Sequence, residues 1–259
     1  MYKDLITVVT STSPLLSHPS TEIFDKVHES TQFHLPGVET LLLCDGVRTP
    51  EHEERRAGYE AYKAKLRNRP LFTVMEWRDS VQQGFMVRSG LALVSTPLVL
   101  WQEHDYALTL DPIDWEGIIN AIQQDRARVV RFHNTPTIHP LHEHLMLDCF
   151  EGATGEAGGT KVSEPPMVCG VPMIRTRQFW CCPFLTTTKW LRGMMDDTTL
   201  FTENTYCEIE PVIYGPISYH PWEDYRVMVY APSEPTMQRS QHIGGRGHDK
   251  DDPKREMTW

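Results

Sequence analysis

Long apolar runs are missing from this chain: none approaches the roughly 20 residues that a membrane-crossing helix requires. No membrane partner is therefore expected. Cysteine is also scarce. The six that occur (Cys44, Cys149, Cys169, Cys181, Cys182, Cys207) show no C-x-x-C spacing. Five of them adjoin apolar or aromatic residues, as small buried hydrophobes do, so they are expected to be reduced thiols rather than a disulfide framework. A basic surplus is absent too, since the formal net charge is −10. Bulk charge thus gives nucleic-acid binding no support, although a local basic groove is still compatible with it. The first residues, Met1 to Val9, lack the apolar core of a signal peptide and run into a strand-like stretch, which gives the expectation of a cytoplasmic protein.

What the chain does have is enough apolar content, 40% of 259 residues, to bury a sizeable core in one large α/β domain or in a domain with an elaborated C-terminal part. Apolar, β-branched segments at 5–10, 38–44, 71–75 and 98–102 read as strands. Between them, a helix after the cap signal Ser20-Thr21-Glu22, a charged Ala-rich helix over 51–69 and a helix over 80–93 complete an alternation that implies a doubly wound, mostly parallel sheet. Further on, Asp114 is a candidate N-cap for a helix over 115–124, and 128–132 is another strand. Segments 168–174 and 178–182 suggest a smaller, partly antiparallel sheet. A short helix over 186–195 and strands at 206–213 and 226–230 follow.

The chemistry-bearing residues gather at strand ends, where open α/β sheets hold their ligands. Strand one ends in Thr10-Ser11, strand two in Asp45-Gly46, and strand four in Glu103-His104-Asp105. Two carboxylates at i and i+2 beyond a buried strand suit a hard divalent cation whose shell is completed by phosphate oxygens. The same acids could also merely solvate a strand end, and Asp45-Gly46 is itself a turn signal.

These positions, with Gln83-Gly84-Phe-Met-Val-Arg88-Ser-Gly leading into the Glu103-His104-Asp105 strand, resemble the inverting family-2 glycosyltransferases of the GT-A fold. The likeness covers about the first 110 residues. It implies a GT-A-like α/β fold with residues 1–110 as the nucleotide-sugar-binding half. Residues 111–237 would form the acceptor-side half, carrying the smaller antiparallel sheet, and 238–259 a flexible tail or lid. It also implies a nucleotide-diphosphate sugar donor, uridine-linked, and a saccharide, small-molecule or nucleic-acid acceptor such as a modified DNA base.

In that reading Thr10, Ser11, Asp45, Gly84, Arg88, Glu103, Arg239 and Arg246 bind the donor, while Asp105, Glu103 and His242 hold Mn²⁺ or Mg²⁺. The base that deprotonates the acceptor would be Glu203, Glu208 or Glu210, with Glu223 and Asp224 as further candidates. Trp180, Trp190 and Trp222 are possible stacking platforms. The chain departs from the family pattern in having Glu at the first acid of its D-x-D motif and a single Asp at the end of strand two. Two other readings stay open. The cluster His139, His142, His144 could supply the three protein ligands of a hydrolytic zinc, though without helical H-E-x-x-H spacing. Alternatively, the chain could be a nucleotide-binding module without catalysis.

Overall fold

The computed structural model describes residues 2–50, 52–138, 140–148, 164–179, 182–197 and 220–244. Four parallel strands form its first half: β1 (Ile6–Thr12), β2 (Thr40–Cys44), β3 (Phe72–Glu76) and β4 (Leu98–Glu103), in the spatial order β3-β2-β1-β4. Strands β1, β2 and β4 are covered on both faces, which is why they read as nearly continuous apolar runs without alternation. Register puts Val8, Thr10, Leu42, Cys44, Leu100 and Gln102 on one face and Val9, Ser11, Leu43, Trp101 and Glu103 on the other.

Helices α1 (Glu22–His34) and α2 (Arg56–Leu66) pack on the first face, where Phe24, Tyr59, Tyr62 and Leu66 meet Leu42 and Cys44. Helix α3 (Gln83–Leu91) covers the second face through Met86, Val87 and Leu91. It starts three residues later than the sequence pattern predicts. Ser80 and Val81 are held outside the helix by Asp45, and Gln82 takes a φ of 69°.

In the second half, β6 (Val129–Phe132), β8 (Val171–Arg175), β9 (Phe184–Thr187) and β10 (Val227–Tyr230) extend the same sheet, with β7 (Met167–Val168) at its far edge. The full order among the described residues is β3-β2-β1-β4-β9-β6-β10-β8-β7. Strand β9 is antiparallel to both β4 and β6, and β10 is parallel to β6, so β4, β6 and β10 all run one way. The architecture is mixed α/β with one large, mostly parallel sheet. The small antiparallel sheet is a two-stranded ribbon of β5 (Tyr106–Leu108) and β11 (Ser240–His242).

Helix α4 (Trp115–Gln123) starts at the expected cap, Asp114, whose carboxylate accepts from Gly117 N at 2.9 Å, and it packs on the α1 face. Helix α5 (Thr188–Asp196) joins α3 on the other face. It is capped by Thr187, so Thr186 and Thr187 belong to β9 and not to the helix expected there.

The strand expected at 178–182 does not form at Gln178. The backbone and side-chain oxygens of Gln178 both accept from the buried Arg131, at 3.2 and 3.3 Å. The expected strand at 206–213 lies outside the described residues. Residues 238–244, the start of the expected tail, are built into the fold through β11. No described helix is long and apolar enough to cross a membrane.

Candidate active site at the carboxyl edge of the sheet

A cavity of about 340 Å³ opens where β1, β2 and β4 end. Ser11, Thr12 and Ser13 line it from β1, Asp45 and Arg48 from the end of β2, Gln82, Gln83 and Met86 from the start of α3, and Glu103, His104 and Asp105 from the turn after β4. Sheet parity explains the split between the first two predicted residues. Ser11 shares the α3 face with Glu103, whereas Thr10 sits on the opposite face with Gln102 and does not line the cavity.

The acidic turn is held from beneath. Gln102, fully buried, accepts from Thr31 Oγ1 at 2.9 Å through Oε1 and donates from Nε2 to Tyr106 O at 2.6 Å. One side chain thereby ties α1, β4 and β5 together. His104 N donates to Ser11 O at 3.2 Å, which fastens the turn to β1. From above, Ile243 N donates to Asp105 O at 2.8 Å, and His242 Nε2 lies 3.2 Å from Asp105 Oδ2. His242 also packs against the Tyr106 ring at 4.8 Å between centroids. The Asp105 carboxylate is thus buried between two chain segments far apart in sequence.

Glu103 is engaged differently. Gln83 Nε2 donates to Glu103 Oε1 at 2.8 Å and to Ser11 Oγ at 3.1 Å, bridging β1, α3 and β4 across the cavity. Among the described residues no three His, Cys, Asp or Glu side chains cluster as a metal site. The predicted ligand trio of Glu103, Asp105 and His242 therefore reduces to the Asp105–His242 pair. Of the zinc alternative, His142 and His144 sit in a short 3-10 helix and His139 lies outside the described residues.

Asp45 accepts three hydrogen bonds from its own surroundings. Oδ1 takes Gly46 N and Val81 N, both at 2.8 Å, and Oδ2 takes Ser80 Oγ at 2.8 Å. It shapes the cavity wall first, with capacity left at Oδ2 for one further donor. Gly46 beside it is obligatory, because a Cβ there would stand 2.1 Å from the backbone carbon of Asp79.

Close to this region His18 stacks on Tyr62 at 4.1 Å and on Tyr59 at 5.0 Å. Burial, and secondarily His104, pushes its pKa down to about 3.

No protein-family model matches the chain, and no curated protein matches it. Among solved structures it is similar to TarS from S. aureus, with 11% identity and a TM-score of 0.49 over 93% of this chain and 37% of that one. A TarS 1-349 structure gives 10% identity and a TM-score of 0.49, over 92% of this chain and 60% of that one. The bifunctional IspDF from Campylobacter jejuni gives 9% identity and a TM-score of 0.40, over 82% and 47%. The chain spans less than two thirds of the length of each. Likeness at this level adds nothing to what the strand order itself shows.

Several predicted donor ligands lie elsewhere. Arg88 reaches from α3 to Asp196 of α5, at 3.2 Å, and is not a partner of Asp45. Arg239 is 1% exposed and donates to the carbonyls of Pro112 (3.1 Å), Thr236 (2.5 Å), Gln238 (2.6 Å) and Glu234 (2.7 Å). It is a clamp for the β11 approach: four of its five N–H groups are committed to carbonyls, and the guanidinium lies over the Tyr230 ring at 5.9 Å. Gly84 is buried in α3, and its neighbours Gln82, Gln83 and Met86 are the ones that line the cavity.

Trp222 donates from Nε1 to Val227 O at 2.9 Å and carries Arg175 over its ring, so it is a packing residue. Trp190 packs partly buried against the α3–α5 core. Glu223 and Asp224 precede β10 and so sit at the opposite edge of the sheet from the cavity. Glu203, Glu208, Glu210, Trp180 and Arg246 lie outside the described residues. Sequence reasoning passed over Arg48 and undervalued Gln83. The signal available was their position: one follows the Asp45-Gly46 turn by two residues, and the other opens the helix whose glycine and arginine drew attention.

Proposed function

We propose that this chain is a metal-dependent glycosyltransferase that moves a sugar from a nucleotide-diphosphate donor, uridine-linked, to a hydroxyl of a saccharide, a small molecule or a modified nucleobase. The observation that carries this reading is the buried Asp105 carboxylate at the end of β4, backed by His242 and facing a polar cavity at the carboxyl edge of a parallel sheet. That is where such sheets bind nucleotides. The motif resemblance to GT-A enzymes agrees with it.

The donor set suits Mn²⁺ or Mg²⁺. An imidazole nitrogen and a carboxylate oxygen, His242 Nε2 and Asp105 Oδ2, stand 3.2 Å apart beside the cavity and would both be available to such a cation. Such ions commonly use one or two protein ligands and leave the remaining positions to phosphate oxygens and water. When bound, the cation supplies neutralising charge for the leaving diphosphate. Asp105 and His242 would hold it, while Gln83 fixes Glu103 to face the ribose. Ser11 and Asp45 shape the nucleoside end.

In the transfer, the acceptor hydroxyl gives its proton to a carboxylate, for which Glu203, Glu208 and Glu210 are the candidates. Its oxygen bonds to the anomeric carbon as the bond from that carbon to the diphosphate oxygen breaks, which releases the nucleoside diphosphate. Arg246 is a candidate for pairing with the diphosphate.

The test is a thermal-shift panel of nucleotide sugars with and without Mn²⁺, since a ligand of the folded state raises the melting temperature by mass action. UDP-sugars with Mn²⁺ are expected to stabilise the wild type. Asp105→Asn should lose at least tenfold in Mn²⁺-dependent affinity and abolish slow hydrolysis of the donor to UDP. Binding without any turnover would leave a nucleotide-binding module, and the absence of a shift with every nucleotide would sink both.

A further inference from the structure

The cavity is acidic, with Asp45, Glu103 and Asp105 in its walls, yet the proposed donor is an anion. Once Arg88 and Arg239 are committed elsewhere, Arg48 is the one guanidinium among the described residues that lines it. Its backbone is anchored. Val47 bridges to Asp79 beside β3, and Arg48 O accepts from His52 N at 2.9 Å. Its side chain is exposed and makes no hydrogen bond or ion pair with a described residue.

Distance along the sheet decides what Arg48 faces. Strand β1 separates β2 from β4, and neighbouring strands lie about 4.8 Å apart. Arg48 therefore belongs to a strand end roughly 10 Å from the one that carries Asp105. A nucleotide anchored by its diphosphate at Asp105 and laid across β1 brings its base, not its phosphates, to the end of β2. Two complementary groups wait there: a carboxylate with one acceptor position open on Asp45, and a guanidinium that can only donate.

We infer that Arg48 reads the nucleobase, donating to a ring carbonyl while Asp45 accepts the adjacent imide N–H, and so selects uracil over adenine. The inference rests on the nucleotide-sugar reading above and adds to it the residue that sets base preference. An imide presents an N–H flanked by carbonyl oxygens, which matches acceptor beside donor. Adenine carries no carbonyl for the guanidinium to grip.

The experiment measures equilibrium binding of UDP, ADP and inorganic pyrophosphate, each with Mn²⁺, to the full chain as wild type, Arg48→Met and Arg48→Lys. Because the side chain is exposed, both variants should fold, which circular dichroism checks. Arg48→Met is expected to weaken UDP about tenfold, leave ADP and pyrophosphate unchanged, and so collapse the UDP-over-ADP preference, with Arg48→Lys intermediate. An equal loss for pyrophosphate would move Arg48 to the phosphates and overturn the inference, as would an unchanged UDP-to-ADP ratio. If the wild type binds UDP with Mn²⁺ and the variants match it, only the role of Arg48 fails. If the wild type binds none of the three, the nucleotide-sugar reading fails with it.

Discussion

Single residues in this protein divide sharply between those that hold the cavity open and those that face into it, and charge alone does not sort them. Arg239 looks like a phosphate ligand in the sequence, yet its guanidinium is spent on four carbonyls. Arg239→Ala should accordingly lower stability by roughly 3 kcal/mol, since carbonyls left without donors in a buried site are costly; urea unfolding at neutral pH measures it. Gly46→Ala should cost about 1–3 kcal/mol, because the added methyl meets backbone and not a movable side chain. A lower thermal midpoint is the readout, accompanied by weaker UDP binding as Asp45 is displaced.

The place of Glu103, His104 and Asp105 in the cavity wall was readable because strand ends are where such sheets open a cleft. The partners of Arg88 and Arg239 were not, since Asp196 lies 108 residues from the one and Pro112 lies 127 residues from the other.

Among the elements, the first half of the sheet was legible almost throughout, because a strand buried on both faces writes itself as an unbroken apolar run and each helix between strands carries its own stripe. The second half was harder. Strand β9 runs against its neighbours and passes directly into α5, so the residues Phe184 to Asp196 show one apolar pattern blending into another without a break residue. The β5–β11 ribbon could not be read at all, because Ser240-Gln241-His242 is polar and acquires strand geometry only from pairing with Tyr106–Leu108.

Gln102 gives the element scale its prediction. Gln102→Leu removes the link between α1, β4 and β5, and leaves Thr31 Oγ1 and Tyr106 O without that buried partner. The expected cost is about 2 kcal/mol. Mn²⁺-dependent nucleotide affinity should fall with it, because the acidic turn rests on this side chain.

For the molecule as a whole, pH links the two halves. Burial lowers the pKa of His18 to about 3 and that of His133 to about 4. The unfolded chain keeps histidine near 6.5 and so binds more protons than the folded chain between those limits. Stability contributed by the neutral rings is complete above about pH 6.5 and is lost as pH falls toward 4 and then 3. Urea midpoints measured at pH 7, 5.5 and 4.5 should decline in that order, and His18→Asn should flatten the decline. A slope unchanged by that substitution would remove His18 from the account.

The pairing of Asp105 with His242 spans 137 positions of chain. A ribosome that has released the entire parallel half, with all four leading strands able to fold, has still made a protein whose acidic turn lacks its imidazole and its β11 cover. The finished wall of the cavity therefore follows, in chain order, every described strand of the large sheet. Chains cut just before residue 238 would keep every described strand of the large sheet and lose the imidazole that backs Asp105.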